Sequence, residues 1–176
     1  MRGSHIPKMR KKKMKTIYSW MLKAKRPQKK HLEQLIALAA EEAGVGDCPA
    51  VSVVFLSSDQ MAEANMEMLG HVGPTDVISF DLRDPDLPLE ETEDAPGIEL
   101  YVCPEVAEKE ALKRGLPYSR EVTLYIVHGF LHMAGEDDLC PEAKRKMRRA
   151  EKRVLKAMEQ KINFERVFGQ GLVPVR

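Results

Sequence analysis

The chain lacks long apolar runs. Ala50–Leu56, the notable one, is only seven residues long. A membrane helix needs roughly 20, so no membrane span is expected. Cysteine is scarce: Cys48, Cys103 and Cys140 form an odd set at irregular spacing. Such a set is no disulfide framework and points to a reducing cytoplasm. The basic N-terminus is not followed by an apolar core and a small-residue cleavage site, so no secretory signal is expected. Internal repeats and linkers are also absent. Net charge is only +1, which by itself indicates no partner.

What is present describes a globular domain. Hydrophobic residues make up 43% and charged residues 31% of the 176-residue chain. These values exclude global disorder. A chain of this length buries about two thirds of the surface its unfolded form exposes, so folding requires neither disulfide nor metal. The charges are unevenly spread. Residues 1–30 hold twelve Lys or Arg and no acid. Residues 47–110 hold sixteen acids against Arg83 and Lys109, and residues 144–166 hold ten Lys or Arg against three Glu. Two basic ends suit a polyanion such as nucleic acid, although solvated charged faces are common without a partner.

The pattern of strands between helices indicates an α/β (α+β) fold in one layered domain. Met1–His5 reads MRGSH, like the start of an expression tag, and Lys8–Lys15 is a basic arm. Residues 1–15 are therefore set apart, residues 16–161 form the domain, and residues 162–176 read as an irregular tail. Strands are expected over Thr16–Leu22, Ala50–Leu56, Val77–Leu82 and Ile98–Cys103. Leu32, Leu35, Ile36, Ala39 and Ala40 mark one helix face, which Gly44 or Gly46 ends. Ser57 or Ser58 caps the next helix, which Gly70 stops. Pro104, Pro117 and Pro141 open three more helices, giving about five. The helix after Pro117 is apolar on nearly all sides and should be buried. Residues 83–96 are acidic and proline-rich, a surface loop.

His128 and His132, four apart on that buried helix, project from one face. Gly135 stands where the helix can end in left-handed backbone and swing Asp138 toward them. The spacing H-x3-H-x2-G-x2-D thus brings two imidazoles and a carboxylate together, leaving a fourth metal position open for water. Bound zinc lowers the pKa of such a water to about 7. The spacing overlaps the metalloprotease pattern, but Gly129 replaces the glutamate that acts as protease base, which argues against peptide hydrolysis.

These residues resemble the YbeY family of bacterial endoribonucleases. His128-Gly129-x-Leu131-His132 with Gly135-x-Asp137 is similar to the family signature H-G-x-L-H-L-x-G-Y-D-H. Pro74–Phe80, Glu99–Pro104, Asn65 and Glu121 fit further family blocks over roughly residues 48–140. The resemblance implies a small, mostly parallel four-stranded sheet and a zinc ion. It also implies single-strand-specific cleavage in 16S ribosomal RNA 3′-end maturation and ribosome quality control. Implied partners are RNA (the 16S rRNA precursor), the small ribosomal subunit, a ribosomal protein and a GTPase of subunit assembly.

Three positions depart from the family. Asp138 stands for the third metal histidine, Glu136 for a tyrosine, and Leu69 for an arginine. Each change makes the site less welcoming to phosphate. Oxygen ligation also admits manganese or magnesium. Cys140 is a rival third ligand, as thiolate binds zinc well, but Asp138 holds the family position. Asp137 is assigned a supporting or turn role. Thr75, Asp76 and Ser79 border the site or form a turn, and His71 is a surface loop residue or a substitute cation. The expected function is a metal-dependent endoribonuclease using His128, His132 and Asp138. Lys11–Lys13, Arg148, Arg149, Lys152 and Arg153 would hold RNA. The alternative is a ribosome-assembly binding factor with a degenerate metal site.

Overall fold

Valine-rich and aromatic segments form the sheet, and glycines and prolines cut the chain between its elements. The computed structural model describes residues 14–83 and 95–175. Most of the basic arm, including Lys11–Lys13, and most of the acidic stretch 83–96 lie outside the described residues.

Strand β1 spans Lys15–Trp20 and is followed by helix α1, Lys29–Ala43. Strand β2 is Ala50–Phe55, and helix α2 runs over Ser58–Leu69. Strands β3 (Val77–Asp81) and β4 (Ile98–Val102) come next. The four strands form one sheet in the order β1-β2-β4-β3. β1–β2 and β2–β4 pair in parallel, while β3 pairs antiparallel with β4. The mostly parallel four-stranded sheet implied by the family resemblance is therefore present. β2 is an inner strand; Val51, Val53 and Phe55 on one face and Ala50 and Ser52 on the other are all buried, as expected for a strand covered on both faces.

Local chemistry sets the helix ends. Gly44 closes α1 at φ +93°, a conformation other residues seldom adopt. Ser57 is the cap of α2. Its hydroxyl accepts from the Gln60 N–H while the Gln60 side chain accepts from the Ser57 N–H, satisfying two otherwise orphaned donors.

Helix α3, Pro104–Arg114, starts with proline, where no N–H is needed. Helices α4 (Tyr118–Met133) and α5 (Pro141–Glu159) follow. α4 is the central element, packed against α1, α3, α5 and against β3 and β4. Val122, Ile126, Val127 and Phe130 on it are fully buried. The expected all-round burial of this helix therefore holds.

The tail differs from expectation. Phe164–Phe168 forms a sixth helix among the described residues, α6, so there are six rather than about five. Its Phe164, Val167 and Phe168 are buried, and the Asn163 side chain caps it by accepting from the Arg166 N–H. One turn is too short to produce a readable period. Past it, the Lys25 N–H donates to the Val173 carbonyl at 2.7 Å, and Ala24 bridges Pro174.

Candidate metal centre

The site lies where α4 ends. His128 and His132 sit one turn apart on its last two turns. The helix then stops in a reciprocal pair of bonds: the Gly135 N–H donates to the His132 carbonyl at 3.0 Å and the Glu136 N–H to the Leu131 carbonyl at 3.0 Å. Gly135 holds φ +94°, the left-handed residue that such an ending requires. The turn brings Asp138 back toward the histidines. One ligand atom from each of His128, His132 and Asp138 lies within 4.8 Å of the others. The Asp138 Oδ1 is 3.8 Å from His132 Nε2.

The donor chemistry fits a cation. The two Nε2 atoms face each other at 2.9 Å. His132 Nδ1 lies 3.0 Å from the Glu136 carbonyl, and His128 Nδ1 lies 2.6 Å from Glu151 Oε1. A carbonyl and a carboxylate only accept, so both Nδ1 atoms carry hydrogen. Both Nε2 atoms of the neutral rings then present lone pairs to one point. Two lone pairs at that distance repel unless a positive centre lies between them, and a proton or a metal ion meets that need. Burial pulls the His128 imidazole down, but the hydrogen bond and charge of Glu151, with the charges of Asp76 and Asp138, outweigh it. The net direction is up.

Asp137 and Cys140 have other employment. Asp137 Oδ1 accepts from the N–H groups of Asp138 and Leu139 at 2.6 and 3.1 Å, which shapes the turn. Cys140 caps α5, its Sγ accepting from the Ala143 N–H at 3.4 Å. Cys140 is outside the group of converging ligand atoms.

The surrounding residues separate into near and far. Asp76 acts electrostatically on His128, and the Thr75 hydroxyl donates to its Oδ1 at 2.9 Å. Ser79 lies under α4: a β-carbon added to Gly129 would stand 3.0 Å from its Oγ and 2.9 Å from Leu100 Cδ2. This close approach explains why a protease-type glutamate has no room at position 129. Asn65 is buried and donates to the Gly73 carbonyl, fixing the loop before β3. His71 and Leu69 are exposed. Glu121 is 1% exposed and pairs with Arg114 at 3.2 Å. Burial nevertheless raises its carboxyl above the ordinary range, against the pull of Arg114 and Arg120.

Sequence reasoning missed two residues. Glu151 on α5 holds His128. Arg83 ties the end of α4 to the sheet, donating to the Met133 carbonyl at 2.9 Å and to Asp81 at 2.7 Å. Glu151 left one signal, being the lone acid in the basic run Lys144–Lys156. Arg83 left none, because its partner is a backbone carbonyl 50 residues away.

Comparison with known proteins fits this geometry. The family model described as Endoribonuclease YbeY matches residues 11–159. A Salinispora tropica protein named endoribonuclease YbeY is 36% identical over 124 residues, covering 66% of this chain and 79% of that one. The Bacillus subtilis protein of that name is 33% identical over 132 residues, covering 73% and 84%. The solution structure of a Thermotoga maritima protein aligns with a TM-score of 0.51 at 26% identity, covering 82% of this chain and 92% of that one. A family match over residues 11–159, together with relatives above 30% identity over about two thirds or more of the chain, establishes that the chain belongs to the endoribonuclease YbeY family.

Proposed function

We propose that this protein is a metal-dependent endoribonuclease of ribosomal RNA processing, cutting single-stranded RNA by hydrolysis at His128, His132 and Asp138. The observation that carries the reading is the convergence of the two Nε2 atoms at 2.9 Å, with both Nδ1 atoms committed to acceptors. Family membership supplies the reaction class.

His128, His132 and Asp138 would hold one divalent ion, zinc in the first instance. Such an ion, when bound, supplies an acidified water and a counter-charge for phosphoryl oxygen. The Asp138 carboxylate makes the site one charge less positive than a set of three histidines, and harder, so manganese is a plausible competitor. The protein's own part is positional. The buried helix α4 fixes the two imidazoles, and the turn at Gly135 fixes the third ligand. Gly129 contributes no base.

RNA backbone binding falls to α5. Arg148, Arg149, Lys152 and Arg153 are all exposed there, and they neutralise phosphates without reading sequence. The small ribosomal subunit would therefore supply specificity, with the 16S precursor 3′ end as substrate. Ribosome quality control, a ribosomal protein and an assembly GTPase belong to the same proposal. Among the described residues no helix is long and apolar enough to cross a membrane, and we place the protein in the cytoplasm.

Incubation of nuclease-free protein with single-stranded RNA tests the reading, with His132→Ala as control. Cleavage by the parent and none by the variant supports it. Equal cleavage by both would sink the enzyme and leave an assembly factor with a degenerate site.

A further inference from the structure

We propose that Glu151 is a positioning residue for His128, fixing the ring so that Nε2 rather than Nδ1 faces the metal. The inference rests on the metal-site reading above and deepens it.

Geometry carries the first part. Glu151 Oε1 lies 2.6 Å from His128 Nδ1, and each side chain is only 17% exposed. The ionised carboxylate accepts and cannot donate, so Nδ1 keeps its hydrogen and Nε2 keeps its lone pair. A histidine that loses this acceptor can take either tautomer and rotate about its side-chain bonds. His132 has a backbone carbonyl for the same purpose. His128 depends on a side chain from another helix, 23 residues along the chain.

The pattern of α5 carries the second part. Between Lys144 and Lys156 the helix holds eight Lys or Arg and one acid. All eight cations are exposed, while Glu151 is turned partly inward. A glutamate placed only for solubility would stand on the exposed face among those cations. This one stands at the edge of the buried stripe formed by Met147, Ala150, Val154 and Leu155, where it reaches α4.

Charge carries the third part. Glu151 adds its negative charge to those of Asp76 and Asp138 around the imidazoles, which favours a cation at that point. The carboxylate also raises the basicity of the ligand it holds.

The test measures zinc affinity of the full chain by competition with a chromophoric chelator, for the parent, Glu151→Gln and Glu151→Ala. Circular dichroism confirms that each is folded. Glu151→Ala is expected to weaken zinc binding about 10- to 100-fold, the usual effect of removing such a support. Glu151→Gln should lose less, because its amide oxygen still accepts from Nδ1. Ring-nitrogen NMR of the metal-free protein gives a second readout: His128 should carry its hydrogen on Nδ1 in the parent and shift toward Nε2 in Glu151→Ala. A folded Glu151→Ala that binds zinc within twofold of the parent, with the ring pattern unchanged, overturns the proposal and leaves the metal site standing. A parent that binds neither zinc nor manganese overturns the metal site and the proposal together.

Discussion

Gly129 and Leu100 meet so closely that a β-carbon on Gly129 would stand 2.9 Å from Leu100 Cδ2. This contact seats α4 on the sheet one residue past His128. Alanine at 129 gains about 1 kcal/mol of helix propensity, while overpacking a core costs about 1–3 kcal/mol. Gly129→Ala should therefore lose up to about 2 kcal/mol net. Gly129→Glu adds a buried charge and should not fold. Urea unfolding of the alanine variant decides the matter; a gain in stability would show that Leu100 yields freely.

Asp138 and Cys140 should separate cleanly in metal content. Plasma mass spectrometry is expected to find about one ion per chain in the parent and in Cys140→Ala, and none in Asp138→Ala, since three protein ligands define such a site. Asp138→His restores nitrogen ligation and should shift preference from manganese toward zinc. Loss of metal in Cys140→Ala alone would move the third ligand to the thiol.

The basic face of α5 should govern salt dependence. Each phosphate contact on a single strand contributes a slope of about −0.7 in log affinity against log salt. Replacing Arg148, Arg149, Lys152 and Arg153 by Ala should flatten that slope by up to about 3. Filter binding to an unstructured RNA measures it, and an unchanged slope would place the RNA elsewhere.

Glu121 predicts a pH effect with a definite sign. Burial raises its carboxyl in the folded state, so the native protein binds this proton more tightly than the unfolded chain. Its contribution is most favourable below the unfolded carboxyl value of about 4.3, and it is lost as pH rises through the raised folded value. Glu121→Gln removes the dependence. The variant's stability relative to the parent should therefore climb between pH 4 and pH 8 in urea unfolding. A difference constant across that range would mean that Arg114 fully compensates the charge.

Thiol labelling should show one fast group. Cys140 is exposed, whereas Cys48 and Cys103 are buried, and burial pushes both of those thiols up. Cys140→Ala should remove the fast phase and leave two slow thiols that react only on unfolding.

Much of this architecture was legible in sequence because local signals marked it. Gly44, Gly70 and Gly115 end helices in the left-handed conformation, and Pro104 and Pro141 open them. The histidine pair was legible from its four-residue spacing on an apolar helix, and Asp138 from the glycine before it. What stayed hidden lay in contacts between distant segments or in elements too short to repeat. Glu151 reaches His128 from another helix, and its charge is masked by eight cations around it. Phe164, Val167 and Phe168 make a single buried turn that no period reveals.

The three donors are not equally replaceable. His128 and His132 stand on a helix wedged among most of the other elements, and Asp138 stands on a partly exposed turn. A change at either histidine removes a donor that a buried helix aims, and no neighbouring turn can re-aim it. A change at 138 alters only what the turn offers the ion. Of the three positions, 138 is therefore the one at which the donor can be exchanged with the least disturbance to the fold.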